Sequence, residues 1–343
     1  MAVTRRVFLA GTAATVAAGA LATGPTAAAV AVAPVASASA ADATLDRALA
    51  RLVAHADGPP GAIAVVQRGQ RKLVHRAGTA DLATRAPMQP ADSMRLASVA
   101  KAFSGAVALA VAADGALCLS DTVGKRLPDL PRAWSRVTLR ELLNHTSGIP
   151  DFSQTGPFRK ALLKSLLVAP PPRDLLSYAA PALNFAPGSK YEYSNSDNIV
   201  VGLMVEAATG RSYESELGER VFGRLGLRHT SLPRDAAVPA PLIHGYDVDP
   251  PKSPEDVTEL IAAGWSWASG GIISTPDDAN AFIRAYARGA TTSSGLHRAQ
   301  FAFKPGGSEP PGPGQNAAGL AIFRYRTKYG TVYGHTGNTL GYT

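Results

Sequence analysis

Residues 95–112 read R-L-A-S-V-A-K-A-F-S-G-A-V-A-L-A-V-A, an almost wholly apolar run with Ser98 and Lys101 at its start. The run predicts a helix ending near Ala113, with Gly115 as its stop. On a helix, residues three apart lie one turn apart on the same face, so the Lys101 amine can reach the Ser98 oxygen. A serine hydroxyl is a weak nucleophile until a base takes its proton. The free N–H groups at a helix start also point to where an oxyanion would form. The chain has nine lysines, and only Lys101 has a serine three places before it. A Ser-x-x-Lys alone recurs by chance, so its reading depends on what else the chain carries.

Two further clusters support it. Tyr193-Ser194-Asn195 lies in F-A-P-G-S-K-Y-E-Y-S-N-S-D-N-I-V-V-G, between a Pro-Gly turn and a new apolar helix. Tyr193 and Asn195 are thus expected on a loop feeding a helix, where catalytic groups are often presented. His335-Thr336-Gly337 lies in T-V-Y-G-H-T-G-N-T-L-G-Y, where a β-branched and aromatic run leads into small residues. This predicts an edge strand whose glycines let a substrate backbone approach closely.

Around these clusters the pattern is mixed. Residues 44–56 predict an amphipathic helix, and G-A-I-A-V-V-Q-R-G with Q-R-K-L-V-H-R-A-G a hairpin. Helical patterns dominate from the Ser98 run to about residue 230. Residues 303–316 predict an exposed loop, and G-L-A-I-F-R-Y-R with G-T-V-Y-G-H-T-G two antiparallel strands. Gly264-Trp-Ser266-Trp-Ala268 lacks the last glycine of a nucleophile elbow, so its tryptophans are expected in the core or at the cleft rim. Cys118, the only cysteine, is expected to be a buried structural thiol. The seven histidines show no zinc spacing, and no glycine-rich loop suggests a nucleotide.

The first forty residues carry paired Arg5 and Arg6, then Phe8 and Leu9, then an alanine-rich stretch with small-residue cleavage positions among 36–40. They predict a removable twin-arginine export signal, and hence a secreted or extracytoplasmic protein with no stable membrane anchor. The whole chain carries a formal charge of +8, and its basic residues are scattered. That distribution speaks for solubility, and for attraction to anionic wall polymer over nucleic-acid binding.

Ser98-x-x-Lys101, Tyr193-x-Asn195 and His335-Thr336-Gly337, in that order, resemble the serine β-lactamase-related family, in particular its class C β-lactamase and extracellular D-alanyl-D-alanine carboxypeptidase group. V-T-L-R-E-L-L-N-H-T-S-G-I-P-D-F at 137–152 and W-A-S-G-G-I-I-S-T-P-D-D-A at 267–279 are similar as well. The resemblance spans roughly residues 45–343. It implies an α/β (α+β) fold: an antiparallel sheet with flanking helices, built from about 41–95 and 260–343, and an inserted helical region at about 96–259. The family's two C-terminal strands and long C-terminal helix are expected to be missing after Thr343.

The resemblance also implies roles. Ser98 becomes acylated, and Lys101 or Tyr193 acts as base, with their titrations coupled. Asn195 donates to the substrate's acyl-side carbonyl. The N–H groups of Ser98 and Asn338 form the oxyanion hole, and His335, Thr336 and Gly337 line the site, with Thr336 meeting a terminal carboxylate. His145 is expected to pack near the site as part of a helix-end turn. No metal or cofactor is implied. The implied enzyme is a monomeric D-alanyl-D-alanine carboxypeptidase acting on peptidoglycan peptides. β-Lactamase, esterase and D-amino-acid amidase activities, or a dead penicillin-binding protein, are the alternatives.

Overall fold

The computed structural model describes residues 36–343, with side chains from Asp42 onward. The export segment read at 1–40 lies outside the described residues apart from 36–40, which begin the first helix.

Two helices buried on nearly every side organise the fold. Helix α1 (Ala36–Ala54) packs on the hairpin of β1 (Gly61–Arg68) and β2 (Arg71–Gly78), and β3 (Met94–Arg95) leads into α2 (Ala100–Ala113). In α2 every residue from Ala100 to Val111 is buried. A helix apolar all round belongs in the centre of a core. Shorter helices follow: α3 (Val123–Arg126), α4 (Leu139–Leu143), α5 (Gly156–Lys164) and α6 (Pro172–Leu175). Helix α7 (Asn195–Thr209) is the second core helix, buried from Ser196 to Val205 and closed by Gly210 at φ +70. It packs against α2, so the N-termini of the two helices lie together.

Next come α8 (Tyr213–Leu217), the ribbon β4 (Tyr246–Asp247) and β5 (Glu255–Asp256), β6 (Ile273–Ser274), and α9 (Pro276–Ala287). Thr275 caps α9 by accepting from the Asp278 N–H, with Pro276 at its first position. Phe282 of α9 stacks on Phe103 of α2 with ring centroids 3.6 Å apart. Helix α10 (Ser294–Gln300) precedes β7 (Lys304–Pro305), β8 (Gln315–Ala318), β9 (Phe323–Thr327) and β10 (Gly330–Gly334). These last four strands form one antiparallel sheet in the order β10-β9-β8-β7.

The mixed fold of helices and antiparallel sheets matches the expectation. The sheet itself differs in one respect. Strands from the two ends of the chain form separate hydrogen-bonded sheets, with β1 and β2 paired only to each other. Helix α9 packs against both β1 and β10 and joins the two layers through side chains. Cys118 also departs from its expectation. It falls beyond the end of α2, where the chain has already turned at Gly115 (φ +82), and its thiol is exposed. No helix among the described residues is long and apolar enough to cross a membrane.

Candidate active site

Ser98 sits in the short turn Ala97–Val99 that feeds α2, with Ala97 at φ +48. Lys101, on the first turn of α2, is 1% exposed. Its Nζ lies 3.0 Å from Ser98 Oγ, 2.7 Å from Asn195 Oδ1 and 2.7 Å from the Ser269 carbonyl. The carbonyl and the amide oxygen can only accept. When Lys101 is neutral, its two hydrogens go to them and its lone pair faces the Ser98 hydroxyl. Burial lowers its pKa to about 7, against the opposing pull of Asp151 and Asp197. A substantial neutral fraction therefore exists near neutral pH.

The Ser269 carbonyl is held firmly. Ser269 N–H and Oγ both donate to the Ser266 carbonyl, and Ser104 Oγ of α2 donates to the Ala268 carbonyl at 2.7 Å. Trp267, fully buried at φ +38, wedges against α7 where Gly202 leaves room. A Cβ on Gly202 would lie 2.7 Å from that indole. Both Trp265 and Trp267 are thus core residues, as expected.

Asn195 is oriented from the other side. Its Nδ2 donates to Asp151 Oδ2 at 2.9 Å and to Ser153 Oγ at 3.0 Å. Both amide hydrogens are committed, so Asn195 turns its oxygen toward Lys101. The free donor to a substrate carbonyl expected at this residue is not present in this arrangement.

Tyr193 lies beside Lys101, whose Nζ is 4.9 Å from its ring centroid. Burial pushes the phenol pKa well above its ordinary value, while nearby Ser98 lowers it in part. The Oη is buried and makes no hydrogen bond of good geometry. A phenolate is thus disfavoured here, and the neutral phenol is a proton donor awaiting an acceptor.

His335 is 1% exposed, and its Nδ1 lies 2.6 Å from the Thr336 carbonyl. That bond places the proton on Nδ1 and leaves Nε2 as a bare acceptor without a partner. Burial, aided by Lys101, lowers its pKa to about 3, so the ring is neutral. Thr336 Oγ1 donates to the Pro311 carbonyl at 2.8 Å, tying the strand to the loop before β8. Its hydrogen is therefore unavailable to a carboxylate unless that tie opens. On β9, Phe323 and Tyr325 are buried toward the site, and Arg324 and Arg326 lie on the other face, Arg324 over the Phe303 ring.

Gly337 brings this strand against the serine. A Cβ there would lie 2.4 Å from the Leu96 carbonyl oxygen and 3.4 Å from the Ala97 Cβ. Gly337→Ala is expected to push the strand away from Ser98 and lower kcat on the order of 10²-fold, as a displacement of about 1 Å can. Hydrolysis assays beside circular dichroism check this, and unchanged kcat in a folded variant would contradict the close approach. Asn338 follows directly in the sequence.

The structure thus brings Ser98, Lys101, Tyr193, Asn195, His335 and Gly337 together. The Ser269 carbonyl, Asp151 and Ser153 complete the site and were not singled out from sequence. Two of them fall in the stretches 137–152 and 267–279 whose similarity was noted, but a main-chain carbonyl leaves no trace in residue identity. Among the described residues no group of three or more His, Cys, Asp or Glu is placed to hold a metal.

The sequence matches the protein family described as Beta-lactamase over residues 45–343. A D-aminopeptidase of Brucella anthropi is 33% identical over 184 residues, 54% of this chain and 35% of the relative. A D-aminopeptidase of Brucella canis is 32% identical over 181 residues, 53% of this chain and 34% of the relative. The matched segment therefore spans about a third of the length of these curated relatives. A D-stereospecific amidohydrolase from Streptomyces sp. superposes with a TM-score of 0.77 at 28% identity, covering 88% of both chains. A penicillin binding protein from Bacillus halodurans shares the fold, with a TM-score of 0.67 at 20% identity over 84% of this chain and 88% of that one.

Proposed function

The chain belongs to the beta-lactamase family of serine hydrolases, and on that premise we propose that it hydrolyses small D-aminoacyl amides or peptides through an acyl-enzyme on Ser98. Lys101 takes the Ser98 proton as Oγ attacks the carbonyl carbon. The Ser98 and Asn338 N–H groups receive the oxyanion. Tyr193 gives its proton to the leaving amine and regains one from Lys101. Water then attacks the acyl carbon, its proton passing to Lys101, and the carbonyl re-forms as Ser98 leaves with that proton. The serine serves in both halves of the reaction.

The observation that carries the choice of substrate is the charge of the site wall. A terminal carboxylate needs a cation or free donors. Among the described contacts around Ser98, Tyr193 and His335, Lys101 is the one cation, and Ser98, Asn195 and Ser269 already hold it. His335 offers an acceptor, Thr336 is tied to Pro311, and the β9 arginines face away. Such a wall, lacking free donors but offering the His335 acceptor, suits an aminoacyl amide without a carboxylate better than a D-alanyl-D-alanine carboxylate. The D-aminopeptidase and D-stereospecific amidohydrolase names of the relatives point the same way.

The test compares kcat/KM for D-alanine p-nitroanilide with that for an N-acylated D-alanyl-D-alanine peptide. The amide is expected to be favoured at least about tenfold, the discrimination that about 1.4 kcal/mol supplies. The opposite ratio would restore the carboxypeptidase reading. The export route read from residues 1–40 remains part of this proposal, and signal-peptide deletion followed by fractionation tests it.

A further inference from the structure

His145 is a buried residue in an uncommon conformation, φ +55, just after α4. Its contacts bracket Tyr193. The Glu192 N–H donates to the His145 carbonyl at 2.9 Å, and the Ser194 N–H donates to its Nδ1 at 3.4 Å. The imidazole packs on the Tyr193 ring, with centroids 4.6 Å apart. One histidine thus holds the backbone on both sides of the tyrosine and the ring between them.

The same Nδ1 lies 2.9 Å from Asp197 Oδ2 in the first turn of α7. At 2.9 Å this is the shorter of the two contacts to Nδ1, and it ties the ring that packs on Tyr193 to the first turn of α7. Ser147 Oγ donates to the other oxygen, Oδ1, at 2.5 Å, while accepting from the Ile149 N–H at 3.0 Å. Asp197 is 0% exposed and His145 3% exposed. Burial drives the Asp197 carboxyl well above its ordinary pKa and the His145 imidazole well below its own, with Lys101 adding to the latter.

We propose that His145 and Asp197 are a positioning pair, hydrogen-bonded through His145 Nδ1, that fixes Tyr193 for proton delivery to the leaving group. Neither residue touches the reacting atoms in this scheme. Because the tyrosine's position depends on bonds to its flanking N–H groups, the pair acts through backbone geometry and not through its own charge. The inference rests on the role of Tyr193 given above.

The test compares Asp197→Asn with Asp197→Ala. An amide at 197 has the same shape and both a donor and an acceptor for Nδ1 and Ser147, so Asp197→Asn is expected to keep kcat within about threefold. Asp197→Ala is expected to lower kcat on a D-aminoacyl amide about 100-fold, with KM little changed. Its loss on the matching p-nitrophenyl ester is expected to be under about tenfold, because that leaving group needs no proton. Added to Tyr193→Phe, Asp197→Ala should cost nothing more. Amide hydrogen exchange over residues 190–196 supplies a readout free of chemistry: faster in Asp197→Ala, unchanged in Asp197→Asn. Unaltered exchange in Asp197→Ala, equal amide and ester losses, or Asp197→Asn as damaged as Asp197→Ala would each overturn the pair. If Tyr193→Phe keeps full amide activity, the proton-donor role of Tyr193 fails, and with it the purpose assigned to the pair, even where exchange still reports the anchoring.

Discussion

Ser98→Ala is expected to lower turnover by on the order of 10⁵–10⁶, the loss seen when the nucleophile of an acyl-transfer site is removed. Covalent labelling by a penicillin, read as added intact mass, should vanish with it. The fold should persist, because the change removes one hydroxyl from the mouth of α2 and leaves Lys101 bonded to Asn195 Oδ1 and the Ser269 carbonyl. Ser266→Ala serves as the control. Ser266 is the other serine whose sequence setting loosely suggests a nucleophile, but it lies in the tryptophan turn, where its carbonyl anchors Ser269. Were Ser98→Ala still to gain the drug's mass, the nucleophile would lie elsewhere.

Replacing Lys101 is the second large effect. Lys101→Ala is expected to slow acylation by on the order of 10²–10⁴, the range for a general base. Lys101→Arg should be as inactive, since a guanidinium does not deprotonate at any working pH. The pH dependence is the sharper signature. The neutral amine is the active form and its pKa is about 7. The acylation rate should therefore climb tenfold per pH unit below 7 and level off above it. The limb should disappear in Lys101→Ala, and a wild-type rate flat from pH 5 to 9 would exclude Lys101 as the base.

Stability carries the same sign. Between about 7 and the ordinary value of 10.5 the unfolded chain binds a proton at Lys101 that the native state lacks. The contribution of this residue to native stability therefore improves as pH rises through that window. Below about 7 both states are protonated, and the full cost of burying the ammonium is present. Thermal unfolding of the wild type against Lys101→Met across this range reads the difference. The wild type should gain on the variant as pH rises.

Much of the site was written in the sequence, because its spacing is local. Three residues on a helix fix the Ser98–Lys101 approach wherever that helix packs. A Pro-Gly turn followed by an apolar helix places Tyr193 and Asn195 at the mouth of α7. The hairpin of β1 and β2 follows from alternation and a glycine turn. The apolar character of both core helices, legible as composition, brings their N-termini side by side.

Other properties arose only when distant segments met. The pKa of Lys101 depends on its burial, and its acceptors come from an amide 94 residues away and a carbonyl 168 residues away. Asn195 turned its oxygen to Lys101, because Asp151 and Ser153 took both its hydrogens. The Thr336 hydroxyl went to the Pro311 carbonyl, which no motif encodes. Cys118 emerged into solvent because α2 ended before it, and the two ends of the chain formed separate sheets joined by α9. The sequence by itself determined which reactive groups this protein has and which of them share a helix face. The charge state of Lys101 and the pairing of the site's donors were decided by tertiary structure, since they depend on desolvation and on main-chain acceptors that no residue's identity records.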